Sequence, residues 1–267
     1  MADSTHTYRR IVVKVGSSII VEDQKIASSR IAELCKFVAD LHEKYQVIIV
    51  TSGAVAAGYT EKPLDKSLVP NKQALASLGQ PLLMHMYFTE FQKFNILCSQ
   101  LLLGAYDFDS RKRTINARNT IEVLLANKVV PIINENDATA LRELVFGDND
   151  RMSAHVAYHF DADLLVILSD IDGYYTANPR NCKDAQIRLV VNQLSPAELQ
   201  EEATPNNQFA TGGIVTKLQA AQFLLDHGKM MYLSSGFHLA EAHEFLLDGK
   251  HSSGTLFCPL AASNGQS

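Results

Sequence analysis

The chain has 267 residues, of which 46% are apolar and 20% charged, with a formal net charge of −5. That length suits one large domain or two small ones with a sizeable core, and the composition is that of an ordinary globular protein. The acidic balance argues against a general binder of nucleic acid or of an anionic membrane, since such proteins usually carry an excess of basic residues.

The N-terminal MADSTHTYRR has no apolar signal region, and residues 1–8 are expected to be flexible. Arg10 to Gly16 is a β-branched apolar run ending in Gly-Ser-Ser and reads as a buried strand. Ile26 to Tyr45 places Ile31, Leu34, Phe37, Val38 and Leu41 at helical spacing, and Val47 to Val50 is a second buried strand ending in Thr-Ser-Gly. Strand, helix, strand opens a βαβ unit.

The alternation continues. Asn71 to Phe94 is mostly helical, with Pro81 expected at a break or a first turn. Ile96–Leu103 reads as a strand, Thr114–Asn127 as a helix and Val129–Asn134 as a strand. After these come a helix over Asp150–Phe160, a buried strand over Leu164–Leu168, a helix over Gly213–His227, a strand over Lys229–Leu233 and a short helix over Leu239–Leu247. Gln200 to Thr211 is the most loop-like interior stretch. The residues from Pro259 onward are small and polar and are expected to fray, which leaves 9–258 as one domain. The pattern predicts an α/β fold, with a mainly parallel sheet covered by helices on both faces. Ligands in that architecture sit beyond the carboxyl ends of the strands.

Cys35, Cys98, Cys182 and Cys258 are far apart and make no CxxC pair, so free thiols in a reducing compartment are the simplest reading. Phe94 to Tyr106, an uncharged and mostly apolar run of 13 residues, is too short to span a bilayer. A cytoplasmic protein is expected.

Polar signals collect where the strands end: Lys14-Val15-Gly16-Ser17-Ser18, Thr51-Ser52-Gly53, Asn134-Glu135-Asn136-Asp137, Ser169-Asp170 and Thr211-Gly212-Gly213 ahead of Lys217. Each has a plain alternative. Glycine after a strand is usually a turn, Lys14 and Lys217 could lie on the surface, and Asp137 and Asp170 could be turn residues or caps. The stretch FGDNDRMSAHVA, Phe146 to Ala157, sets Asp148, Asn149 and Asp150 together at a helix start. Capping needs only one of the three. Taken together, these groups suit a polyphosphate and a magnesium ion: backbone N–H groups for anionic oxygens, lysines for a transferring phosphoryl group, carboxylates for the metal or to orient the lysines.

The chain has no GxxxxGK[ST] and no GxGxxG, so neither a P-loop nor a dinucleotide fingerprint is present. Ser52 lacks the GxSxG elbow of a serine hydrolase. His155 and His159, spaced i, i+4, lack an HExxH and read as a helix face before a zinc site. Tyr174 and Tyr175 could stack on a base, although packing is the simpler reading.

VKVGSS, VTSGAVAAG, INARNT, PIINENDA, GDNDRMSA, SDIDGYYTANP, TGGIVTKLQAA and SSGTLF together resemble the amino acid kinase family, over about Ile11 to Phe257. INEND followed by GDND, with TGGIVTKLQAA, is closest to the members that phosphorylate glutamate. Two positions depart from the common pattern: Asn119 stands in NARNT, and Asn178 in TANP, where an aspartate is usual. Many bacterial members carry a C-terminal PUA domain, and no such domain is expected here.

The resemblance implies a three-layer αβα fold and transfer of phosphate from ATP to the γ-carboxylate of L-glutamate, the first step toward proline. It further implies magnesium as cofactor, L-proline as a feedback inhibitor and a homodimer or tetramer. Carried over by motif, Lys14 and Lys217 would contact the ATP phosphates, with Asp150 holding both. Gly16 and Ser17 would line the phosphate turn. Ser52, Gly53, Asn134, Asp137 and Asn149 would hold glutamate, and Ser169, Asp170 and the Thr211-to-Lys217 segment, with Gly212 and Gly213, would border the nucleotide. Asp148 would support the site or its metal. A family kinase acting on acetylglutamate, aspartate, carbamate or UMP, or a non-catalytic amino-acid sensor, is the rival reading.

Overall fold

The computed structural model describes residues 8–139, 149–177, 179, 182, 184–199 and 213–260. The chain opens with strand β1 (Arg10–Val15), a single helical turn α1 (Ser17–Ile20) and a hairpin of β2 (Val21–Glu22) and β3 (Lys25–Ile26). Helix α2 (Ser28–His42) leads to β4 (Gln46–Val50), and α3 (Ala54–Glu61) with α4 (Val69–Gln92) leads to β5 (Cys98–Leu103). Helices α5 (Ala105–Asp109) and α6 (Arg111–Ala126) precede β6 (Val130–Glu135), and α7 (Asn149–His159) precedes β7 (Leu164–Ser169). Then come β8 (Val190–Val191), α8 (Ile214–Asp226), β9 (Met230–Ser235), α9 (Leu239–His243) and β10 (Thr255–Phe257).

Eight strands form one sheet in the order β5-β6-β4-β1-β7-β9-β10-β8. Every neighbouring pair is parallel except β9 with β10. The alternation of strands and helices therefore gives the three-layer αβα architecture that the sequence predicts.

Successive side chains of a strand point to opposite faces, and β1 shows what that does here. Ile11, Val13 and Val15 enter one core with Leu34, Phe37 and Val38 of α2 and Leu83, Met84 and Tyr87 of α4. Val12 enters the other with Ile121 of α6, Met152 and Val156 of α7 and Leu218 and Leu224 of α8. Arg10 and Lys14 share the face of Val12, so both are polar groups in a buried layer. Arg10 is satisfied by Gln46, Glu122 and the carbonyl of Phe160. Lys14 must find its partner among the helices above it.

Pro81 does not break its helix: α4 runs through it from Val69 to Gln92. The first-turn proline is Pro70, where a missing N–H costs nothing. Packing carries the helix past Pro81. The α3 and α4 backbones touch at Gly79, where an added Cβ would lie 1.8 Å from the Ala54 carbonyl oxygen. The short helix expected over Leu239–Leu247 begins as α9 and widens into a π-turn over Glu244–Asp248.

Candidate active site

Strands β1, β4, β6, β7 and β9 are parallel, so their carboxyl ends open on one edge of the sheet, and the polar residues singled out in the sequence lie there. The centre of the group is Asp150, in the first turn of α7 and fully buried. One of its oxygens takes the ammonium of Lys14, and Oδ2 accepts from Lys217 Nζ at 3.0 Å. Thr216 Oγ1 donates to the same Oδ2 at 3.1 Å. The lysine side chains are 4% and 6% exposed. Two lysines thus converge on one buried carboxylate, which holds both ammonium groups in place at the strand ends.

Asn149, the residue before Asp150, faces a different set of groups. Its Nδ2 donates to the Thr51 carbonyl, and lies 3.0 Å from both Ser52 Oγ and Asn134 Oδ1. Two hydrogens serve three acceptors, so one of them, such as the Ser52 hydroxyl, remains open to another donor. The backbone fixes the orientation of the amide, because a carbonyl oxygen accepts only from Nδ2. Neither Asn149 nor Asp150 therefore spends its side chain as a plain helix cap. The residue before them, Asp148, lies outside the described residues.

Asn134 is the penultimate residue of β6, a strand buried along its whole length. Its Oδ1 accepts from the Glu135 N–H at 2.9 Å, and its Nδ2 donates to Gln80 Oε1 at 2.8 Å. Gly53 follows β4 and caps α3 with φ +97°, a region that disfavours side chains. A Cβ there would also meet Ile20 Cδ1 at 2.9 Å. This tight turn presents Ser52 beside Asn149.

Asp137 stands two residues beyond β6, half-buried. Burial pushes its carboxyl up to about 6. A carboxylate held out of water in this way favours a cation that approaches it.

Gly16 follows the end of β1 and ties it to β7, its N–H donating to the Leu168 carbonyl at 3.0 Å. Ser17 opens α1. Ser169 ends β7, and its hydroxyl donates to Asp170 Oδ1 at 3.0 Å. Gly213 caps α8, the helix of Lys217. Thr211 and Gly212 lie outside the described residues.

The other candidates pack. Tyr174 stacks on Phe257 with ring centroids 6.2 Å apart, and its hydroxyl donates to Glu198. Tyr175 donates to Asp172. The His155 ring is wedged against Phe223 and Phe108, and burial lowers it to about 4. Among the described residues no three His, Cys, Asp or Glu side chains gather as metal ligands. All four cysteines are free thiols. No helix in the described residues is long and apolar enough to cross a membrane.

Sequence reasoning missed Gln80 and Gln100, and took Thr216 only as part of the Thr211-to-Lys217 stretch, with no role of its own. Thr216 was legible as the neighbour of Lys217. Gln80 sits mid-helix, where no local pattern separates a buried glutamine from an exposed one.

The amino acid kinase family model matches residues 9–233. Among curated proteins, the glutamate 5-kinase of Leishmania donovani is 73% identical over 263 residues, covering 98% of this chain and 100% of that protein. The glutamate 5-kinase of Wolinella succinogenes is 60% identical over 254 residues, covering 93% and 97%. Among solved structures, carbamate kinase from Giardia lamblia bound to AMP-PNP superposes with a TM-score of 0.64 at 16% identity, covering 94% of this chain and 99% of that one. Isopentenyl phosphate kinase from T. acidophilum gives 0.62 at 16% identity, covering 93% and 99%. These two likenesses concern the fold alone.

Proposed function

The chain belongs to the amino acid kinase family, and we propose how its strand-end residues divide the work of phosphorylating the γ-carboxylate of L-glutamate with ATP. The observation that carries this reading is the buried Lys14–Asp150–Lys217 trio, which sets two ammonium groups on one carboxylate where the strands end. A γ-phosphoryl group is the ligand that two such lysines suit.

A glutamate side chain has a pKa near 4.3, so its carboxylate is already a nucleophile at neutral pH and needs no general base. One carboxylate oxygen attacks the γ-phosphorus, the bond from that phosphorus to the β–γ bridging oxygen breaks, and ADP leaves with the bond's electrons. The obstacle is repulsion between two anions. Lys14 and Lys217 offset it and neutralise charge that spreads over the phosphoryl oxygens in the transition state. Asp150 is the positioning anion that keeps both lysines aimed at one point. Gly16, Ser17, Ser169, Asp170 and Gly213 are assigned to the nucleotide, and so, by motif, are Thr211 and Gly212.

Glutamate binds on the other side of Asp150. Asn149 turns its Nδ2 toward the protein, so it offers Oδ1 outward, and Asp137 offers a second acceptor. Two acceptors suit an α-ammonium and disfavour an N-acetylated substrate. Ser52 and Asn134 complete this side, and Gly53 shapes the turn.

Magnesium is read as arriving with ATP, its ligands mainly phosphate oxygens and water. Asp150 is committed to two lysines and Thr216, which makes it a poor metal ligand, and Asp148 remains the candidate. The family resemblance supports L-proline as an end-product inhibitor and a dimer or tetramer as the assembly. Four free thiols suit a reducing compartment such as the cytoplasm. ADP release measured with L-glutamate, N-acetyl-L-glutamate, L-aspartate, carbamate and UMP tests the reading. L-Glutamate is expected to lead by a wide margin, and preference for another acceptor would overturn it.

A further inference from the structure

We propose that Gln80, on α4, is a positioning residue for glutamate, acting through Asn134 and Asn149, and that Gln100 on β5 supports it; this rests on the assignment of Asn149 to the substrate. Four amides form a line across the top of the sheet. Gln80 Nε2 donates to Gln100 Oε1 at 3.1 Å, Asn134 Nδ2 donates to Gln80 Oε1 at 2.8 Å, and Asn149 Nδ2 donates to Asn134 Oδ1 at 3.0 Å.

Two backbone groups set the direction of the whole line. The Thr51 carbonyl requires the nitrogen of Asn149, and the Glu135 N–H requires the oxygen of Asn134. The nitrogen of Asn134 then requires the oxygen of Gln80, whose nitrogen points at Gln100. Gln80 and Asn134 are buried, at 7% and 2% exposed, so an unmatched amide there has no water to turn to. Gln80 is held in turn by its neighbour. The contact of Gly79 with Ala54 locks α4 against α3, the helix that starts behind Ser52 and Gly53. The line therefore couples the helical layer on one face of the sheet to the first turn of α7 on the other. It keeps the Asn149 oxygen toward the substrate.

The test is steady-state kinetics of full-length variants, with glutamate and ATP varied separately. Gln80→Leu removes the acceptor that fixes Asn134. The glutamate KM should rise about tenfold, while the ATP KM and kcat stay within about threefold. Gln80→Glu restores an acceptor for Asn134 Nδ2, and the half-turned Gln100 amide donates to its other oxygen. The glutamate KM should return to within about threefold of the parent. In the Asn149→Ala background, Gln80→Leu should add almost nothing, because the two act on one contact.

A purely structural role for Gln80 would lower Tm in both variants and leave the ratio of the two KM values unchanged. That result overturns the proposal. If Gln80→Leu does not fold, Gln100→Leu, on the exposed edge of the sheet, should raise the glutamate KM about two- to fivefold, and an unchanged KM there is equally fatal. Asn149→Ala alone distinguishes the two levels of the argument. An unaltered glutamate KM in that variant removes the substrate assignment itself, whereas a raised one beside a silent Gln80→Leu removes only the role of Gln80.

Discussion

Lys217 on α8 donates to Asp150 on α7 at 3.0 Å, and neither side chain is more than 6% exposed. A buried ion pair of this kind does not need a second lysine for stability, yet Lys14 reaches the same carboxylate from β1. Lys217→Met keeps the length of the side chain and removes the charge. We expect kcat to fall at least ~10²-fold with the fold intact, since the lost charge acts mainly in the transition state. Near-parental turnover in a folded variant would contradict the role.

Asp150→Asn and Asn149→Ala should fail differently although they are neighbours. Asp150→Asn removes the charge that both buried lysines share and should depress kcat far more than it changes the glutamate KM. Asn149→Ala removes one acceptor from the bound substrate and should raise the glutamate KM about tenfold to a hundredfold. Were both residues only helix caps, each change would cost about 1 kcal/mol of stability and leave the kinetics nearly untouched. Tm, kcat and KM for both variants decide between these outcomes.

Much of this site was legible because it lies at strand ends. A lysine inside VVKV could have been a surface residue at a strand end, but period two puts it on the face of Val12 under α7 and α8. The surplus of polar groups in GDND likewise pointed past capping. What could not be read was the partner of each group. Nothing in the sequence says that Asn149 turns to Thr51, or that a glutamine in the middle of α4 meets Asn134. Those contacts join residues 98 and 54 positions apart and depend on how two helical layers dock. The short elements were missed for a related reason. The turn α1, the two-residue strands of the β2–β3 hairpin, α5, β8 and β10 are too brief to show a period, and tertiary contacts define them.

Asp137 gives the site a dependence on pH. Burial raises its carboxyl to about 6, above the ordinary aspartate value of about 3.9. The contribution of this group to stability is therefore fully present below about pH 4 and is lost as the pH rises through 6. Asp137→Asn should stabilise the fold at pH 7 by on the order of 1–3 kcal/mol, seen as a higher Tm, and change Tm little at pH 4. The same substitution should weaken glutamate binding, because the α-ammonium loses its carboxylate. In the parent, kcat/KM for glutamate should decline as the pH falls below 6. A profile flat from pH 5 to 8, or an Asp137→Asn variant with parental KM, would count against the assignment.

Gly79→Ala would ordinarily favour a helix by about 0.5–1 kcal/mol. Here the new methyl would meet the Ala54 carbonyl oxygen at 1.8 Å and the Gly58 nitrogen at 2.3 Å, so α3 and α4 must separate. We expect a net loss of about 1–3 kcal/mol and a raised glutamate KM, since α3 carries the turn of Ser52 and Gly53. Thermal unfolding with parallel kinetics measures both, and a stabilised variant would show that the helices do not touch there.

Trapping the acyl phosphate tests phosphoryl transfer to glutamate at this site. With L-glutamate, ATP, magnesium and hydroxylamine, γ-glutamyl hydroxamate should form in step with ADP, dependent on both lysines and on Asp150. ADP formed without hydroxamate, or hydroxamate formed as readily by Lys14→Met and Lys217→Met variants, would contradict it.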